Sequence, residues 1–205
     1  TIHSVGATGC TLLLFRPQEK EPYARLKYPE AYHIGNTFAM LVFGLKIDEF
    51  EYAFQLDGPY DVSRGLLFDK NNVLLDPFAK AVTGQRNWGE RPESDEGFVY
   101  HARVVENNFD WGRMTFPEIP AEDLIIYETH VRGFTRDASS GVTAGGTFEG
   151  LRQKIPYLKD LGVNAIELLP IFEFDEMESA RVVDGVQLYN YWGYNTVSFF
   201  APNTS

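Results

Sequence analysis

The stretch FEGLRQKIPYLKDLGVNAIELLP, Phe148–Pro170, decides how the second half of this 205-residue chain folds. Leu151, Ile155, Leu158 and Leu161 recur at three- and four-residue intervals, the spacing of a helix with one buried stripe. Thr147 is placed to cap the first turn and Gly162 to stop the last. Pro156 lacks the N–H that a helix interior requires, so it opens a second short helix instead of lying within a single one. VNAIELLP then reads as a buried strand, and DLIIYETHV, Asp123–Val131, as an earlier one. Two apolar strands joined through helix are the pattern of a parallel β/α unit. Between them, TRDASSGVTAGGT has the Gly, Ser and Thr content of a loop.

Before about Pro120 the pattern is different. CTLLLF and NTFAMLVFGL are apolar runs, the second closed by Gly44. FEYAFQLDGPY alternates, with Phe50, Tyr52, Phe54 and Leu56 on one side and Glu51, Ala53 and Gln55 on the other. GFVYHARVV repeats the alternation with Phe98, Tyr100, Ala102 and Val104. Short strands separated by turn residues predict a small antiparallel sandwich. The fold class expected is an all-β sandwich module followed by the start of an α/β (TIM-type) barrel, truncated. The sandwich takes residues 1–110, a linker 111–122 and the first β/α units 123–205. There is no internal repeat.

Composition narrows the partners. Eighteen Lys and Arg against 29 Asp and Glu give a net charge of −11, which argues against a nucleic-acid partner. Cys10 stands alone, so no internal disulfide framework is available. No run of about eighteen apolar residues occurs, which argues against a membrane span. The chain begins at Thr1 without an apolar leader and stops abruptly at APNTS, which reads as a piece cut at both ends. With four His and one Cys, none clustered, neither zinc nor any other metal or cofactor is expected.

Three segments could carry chemistry. YNYWGYNTVSFFAP, Tyr189–Pro202, holds six aromatic rings in fourteen residues. Trp192 and Tyr194 either present ring faces to a sugar or pack a long loop. FEFDEME supplies Glu173, Asp175, Glu176 and Glu178. Retaining glycoside hydrolysis needs two carboxyls about 5–5.5 Å apart across the scissile bond. Near neighbours on one loop seldom face each other so, and the segment reads as a solvated loop. His130 and Arg132 alternate on a strand end, as a structural pair or as groups reaching a site. AGG lacks the strand, GxxxxGK and helix of a phosphate loop.

FEYAFQLDGPYDVSRGLLFDKNNVLLDPFAKAV resembles the family 48 carbohydrate-binding module of starch- and glycogen-debranching enzymes. LIIYETHVRGFT, GTFEGLRQKIPYLKDLGVNAIELLPIFEF and NYWGYNTVSFFAP resemble the opening of a glycoside hydrolase family 13 barrel. More narrowly, these segments are similar to isoamylases, particularly the starch-debranching isoamylases of plant and algal plastids. The resemblance implies retaining hydrolysis of α-1,6 branch points in amylopectin, glycogen or maltooligosaccharides, through an Asp nucleophile and a Glu acid/base. Their motifs, and the D-x-V-x-N-H type motif expected after FFAP, lie outside this sequence, so no catalytic residue is assigned in it. Tyr194 matches the family tyrosine that stacks on the glucose ring at the cleaved end, with Trp192 and Asn195 as its neighbours in substrate binding. The resemblance further implies a plastid (chloroplast) location and assembly as a homo-oligomer or with a related isoamylase subunit. Two other readings remain open: a non-catalytic, glucan-binding isoamylase-like subunit and, ranked after it, a glucan-branching transferase.

Overall fold

A computed structural model describes residues 1–83, 87–90 and 100–205. The chain divides into two compact units: residues 1–107 with 172–189 and 196–205, and residues 108–171 with 190–195.

The first unit is built on β2 (Gly9–Phe15) and β6 (Glu51–Asp57), antiparallel in unbroken register from Gly9 opposite Asp57 to Phe15 opposite Glu51. Outside them lie β3 (Ala24–Lys27) beside β2, and β10 (His101–Arg103) then β9 (Ala81–Thr83) beside β6, giving the order β3-β2-β6-β10-β9. A three-stranded sheet joins β1 (Ile2–His3), β5 (Thr37–Phe38) and β4 (His33–Ile34). Ile2 and Phe38 from it pack with Cys10, Phe54 and Leu56 against one face of the larger sheet. Burial pushes the Cys10 thiol up to about 12, which keeps it an inert apolar filler. β7 (Tyr60–Asp61) and β8 (Leu66–Leu67) form a hairpin, turned through Gly65 at φ 70°.

The alternation of β6 is real, but its second face is not open to water. Leu13, Phe15 and Ala53 form a separate apolar cluster there with Val73. Glu51, on the same face, is 2% exposed because His101 of β10 reaches it at 3.1 Å and the ring of Phe15 stacks on His101. In NTFAMLVFGL only Thr37–Phe38 is strand; Leu41 and Phe43 are more than four-fifths exposed. The apolar run therefore does not extend the sheet. Of GFVYHARVV, His101–Arg103 forms β10, whereas Gly97 to Val99, with Phe98, lie outside the described residues. This unit also holds β13 (Phe172–Phe174), β14 (Arg181–Val183), β15 (Val186–Leu188) and β16 (Thr196–Pro202). β13 pairs antiparallel with β16, and Ala201 of β16 packs with Ala79, Val82 and Ala102.

In the second unit, β11 (Ile126–Thr129) and β12 (Ala165–Leu168) pair in parallel, Ile126 opposite Ala165 through Thr129 opposite Leu168. After β11 comes α1 (Val131–Thr135), and before β12 come α2 (Phe148–Gln153) and α3 (Ile155–Asp160). The break predicted at Pro156 is present, with the proline in the first turn of α3. Thr147 Oγ1 accepts the Gly150 N–H at 3.1 Å as the cap of α2, and Gly162 takes φ 90° where α3 ends. Leu151, Leu158 and Val163 make the core of this unit, with Val131, Phe134 and Leu168 against them. The loop from Arg136 to Gly146 folds around Thr135, which is 1% exposed. Thr135 Oγ1 accepts the Gly146 N–H at 2.8 Å, and its carbonyl accepts the Ser140 hydroxyl at 2.9 Å.

Candidate functional site

His130 and Arg132 do not alternate on a strand end. β11 stops at Thr129, and the chain turns at once into α1 because His130 caps it: Nδ1 accepts the Gly133 N–H at 3.1 Å. A side-chain acceptor three residues before an orphan helical N–H stabilises the turn over further strand. The other ring nitrogen, Nε2, lies 2.8 Å from the Tyr191 carbonyl. A backbone N–H can only donate, so Nδ1 is the acceptor and the partners assign the proton to Nε2, which donates to Tyr191.

The loop Asn190–Asn195 is thus tied to the end of β11. The imidazole stacks on Tyr191, centroids 4.2 Å apart and planes 11° from parallel, while Trp192 approaches edge-on at 6.1 Å. Within the loop, Asn190 Oδ1 accepts the Gly193 N–H at 3.4 Å and Asn190 Nδ2 donates to Asn195 Oδ1. Gly193 is buried at φ 74°, a conformation that a side chain would strain. The turn leaves Trp192 55% and Tyr194 72% exposed. Two broad ring faces are therefore offered to solvent from a backbone braced at both ends, an arrangement suited to a flat, partly apolar ligand such as a pyranose. The structure brings Tyr194, Trp192 and Asn195 into one short loop, with Asn195 engaged by Asn190. The sequence names His130 only as half of a pair with Arg132, structural or reaching a site, and does not name Tyr191 at all. The His-x-x-Gly spacing of a helix cap was their signal.

The acidic segment departs from the expectation of a solvated loop. Glu173 is 2% exposed and Glu176 fully buried, whereas Glu178 is exposed. The cause is pairing at long range. β13 joins β16 with two register irregularities, placing Asn203 Nδ2 3.3 Å from Glu173 Oε1, and Glu176 Oε1 accepts the Gly89 N–H at 3.1 Å. Phe174, between them, meets the ring of Trp88 edge-on. Burial, then the nearby Glu176 charge, pushes the Glu173 carboxyl up to about 7, and burial raises Glu176 as well. Among the described residues no group of three or more His, Cys, Asp or Glu could hold a metal, and no helix is long and apolar enough to cross a membrane.

No protein-family model matches the chain. It is 42% identical over 172 residues to the chloroplastic isoamylase 3 of Oryza sativa subsp. japonica, an alignment spanning 82% of this chain and 22% of that protein. It is 32% identical over 215 residues to the glycogen debranching enzyme of Serratia proteamaculans, spanning 99% of this chain and 31% of the enzyme. The chain is a relative of the isoamylase-type debranching enzymes. It spans less than a third of the length of these two debranching relatives. The same β-rich fold occurs in pullulanase type I from Bacillus subtilis, solved with maltose. That chain is 23% identical and superposes with a TM-score of 0.69 over 98% of this chain and 26% of the pullulanase.

Proposed function

We propose that the protein carrying this chain hydrolyses α-1,6 branch points in amylopectin- or glycogen-type glucans, with retention. In this reading residues 1–110 are a glucan-binding-type β-sandwich module and 111–122 a linker. Residues 123–205 open a (β/α)₈ barrel whose later strands supply the nucleophile and the acid/base. The reading is carried by identity to named debranching enzymes along nearly the whole chain. The parallel β11–β12 pair and the exposed aromatic loop are consistent with it. Tyr194 is the stacking platform for a glucose ring at the cleaved bond, with Trp192 and Asn195 beside it. No cofactor is assigned. A plastid location and assembly with itself or a related isoamylase subunit belong to the same proposal, on the strength of the chloroplastic relatives.

The test is the full-length protein acting on amylopectin, with iodine staining and reducing ends followed together. A shift toward blue with new reducing ends supports debranching. A shift away from blue without them would assign branching transfer instead. Retention on a glucan column with neither change would assign a non-catalytic subunit.

A further inference from the structure

We propose that His130 is the positioning residue of the aromatic loop, fixing the presentation of Tyr194 through Tyr191. The inference rests on the sugar-stacking reading of Tyr194 and extends it to a residue outside the loop.

Tyr194 is 72% exposed, so its ring direction is set chiefly by the backbone that carries it. That backbone is anchored to the end of β11 and the start of α1 through His130, whose Nε2 donates to the Tyr191 carbonyl at 2.8 Å. The same ring lies parallel to Tyr191 at 4.2 Å and receives the Gly133 N–H on its other nitrogen at 3.1 Å. Both nitrogens and one face of the imidazole are therefore committed, which leaves the ring little rotational freedom. Gly133 completes the interlock: the Tyr191 hydroxyl lies over its α-carbon so closely that a Cβ there would collide with it. A tyrosine held flat between His130 and Gly133 transmits their position to Trp192, the next residue, whose ring meets Tyr191 edge-on at 5.4 Å. Two residues on, Tyr194 inherits it through Gly193, whose N–H is fixed by Asn190. Misplacing a substrate-orienting group by about 1 Å can lower turnover about 100-fold, and this chain of contacts is what prevents it.

The experiment is steady-state kinetics of the full-length enzyme on a branched maltooligosaccharide, for His130→Ala, His130→Gln, Gly133→Ala, Tyr194→Ala and the His130→Ala/Tyr194→Ala pair. Melting temperatures are recorded alongside. His130→Ala lowers kcat about 100-fold with KM changed far less. His130→Gln, whose Nε2 can still reach the Tyr191 carbonyl, restores about tenfold. Gly133→Ala, which displaces Tyr191 while keeping the imidazole and the N–H that it caps, reproduces the loss and decides the matter if His130→Ala fails to fold. The double variant is no slower than Tyr194→Ala alone, because both act on one element. An impaired Tyr194→Ala with a silent or additive His130→Ala overturns the positioning role and leaves the stacking reading standing. A silent Tyr194→Ala overturns the stacking reading, and the positioning of Tyr194 with it.

Discussion

Replacing Glu173 by glutamine should stabilise the protein at neutral and alkaline pH and leave it unchanged in acid. The carboxyl is 2% exposed beside a second buried carboxyl, and burial followed by the Glu176 charge raises it from 4.5 to about 7. A raised carboxyl favours the fold only while it is protonated. Below about 4.5 it carries its proton both folded and unfolded, and its ionisation contributes nothing to the balance. Between 4.5 and 7 the unfolded chain ionises while the folded one resists, so stability falls across that window and levels off above it. Two and a half units at 1.36 kcal/mol each set the loss at about 3 kcal/mol by pH 8. Glutamine keeps an oxygen to accept from Asn203 Nδ2 and has no charge to desolvate. The assay is chemical denaturation of parent and Glu173→Gln full-length proteins from pH 4.5 to 8, in buffer stripped of divalent cations so that no added ion screens the pair. The two curves meet at pH 4.5, and the variant gains steadily until about pH 7. Parallel curves, or a variant weaker than the parent at pH 8, would refute the argument that burying the Glu173 charge beside Glu176 costs more than its hydrogen bonds return.

Tyr194→Ala lowers kcat/KM about 100-fold in the full-length enzyme while shifting the melting temperature by no more than about 1 °C, since a ring so exposed supports little packing; near-parental kinetics in a folded protein would sink the assignment. His101→Ala takes one hydrogen-bond partner from the buried Glu51 carboxylate and destabilises by about 2 kcal/mol near neutrality, measured by urea titration. Burial alone would raise Glu51, but hydrogen bonds from His101, Thr83 and Gln18 outweigh it and hold the carboxyl below its usual range. The stability they confer is present above the ordinary carboxylate range and is lost as pH falls, so the penalty of His101→Ala shrinks in acid; a penalty independent of pH would contradict this. Gly150→Ala pushes a Cβ onto the Ala144 carbonyl and to 2.8 Å from Thr135 Oγ1, destabilising by about 2 kcal/mol in the same assay, and an unchanged midpoint would show that the loop yields freely.

What the sequence disclosed and what it hid differ in the range of the interactions involved. Thr147, Pro156 and Gly162 act on backbone within a few residues of themselves, so the two helices could be placed before any tertiary contact was known. Cross-strand alternation in β6 was also legible, because period two is a property of the strand alone. Burial of Glu173 and Glu176 was not. It depends on Asn203, thirty residues on, and on Gly89, 87 residues back, and nothing in FEFDEME announces either. His130 was misread for a subtler reason. An apolar strand running into THV looks unbroken, yet one imidazole capping Gly133 is enough to end it. Leu41 and Phe43 show the opposite error, since hydrophobicity without a partner strand leaves an apolar run exposed.

The aromatic loop shows why an exposed element can still be ordered without a core of its own. Tyr191, Trp192 and Tyr194 are each more than a third exposed, so hydrophobic burial holds them only weakly. Their order comes instead from directional contacts. His130 anchors one carbonyl, Asn190 ties Gly193 and Asn195, and Gly193 supplies a turn that other residues would strain. Ordering a rotamer-rich side chain at the moment of binding costs about 0.5–1.5 kcal/mol, and a loop that is already fixed avoids that cost for each ring it presents. Stacking on a sugar is individually weak, so this saving decides whether an open aromatic platform binds at all. Under the proposed function, the polar clamp, more than the rings themselves, is then the feature that would separate this loop from an ordinary aromatic surface.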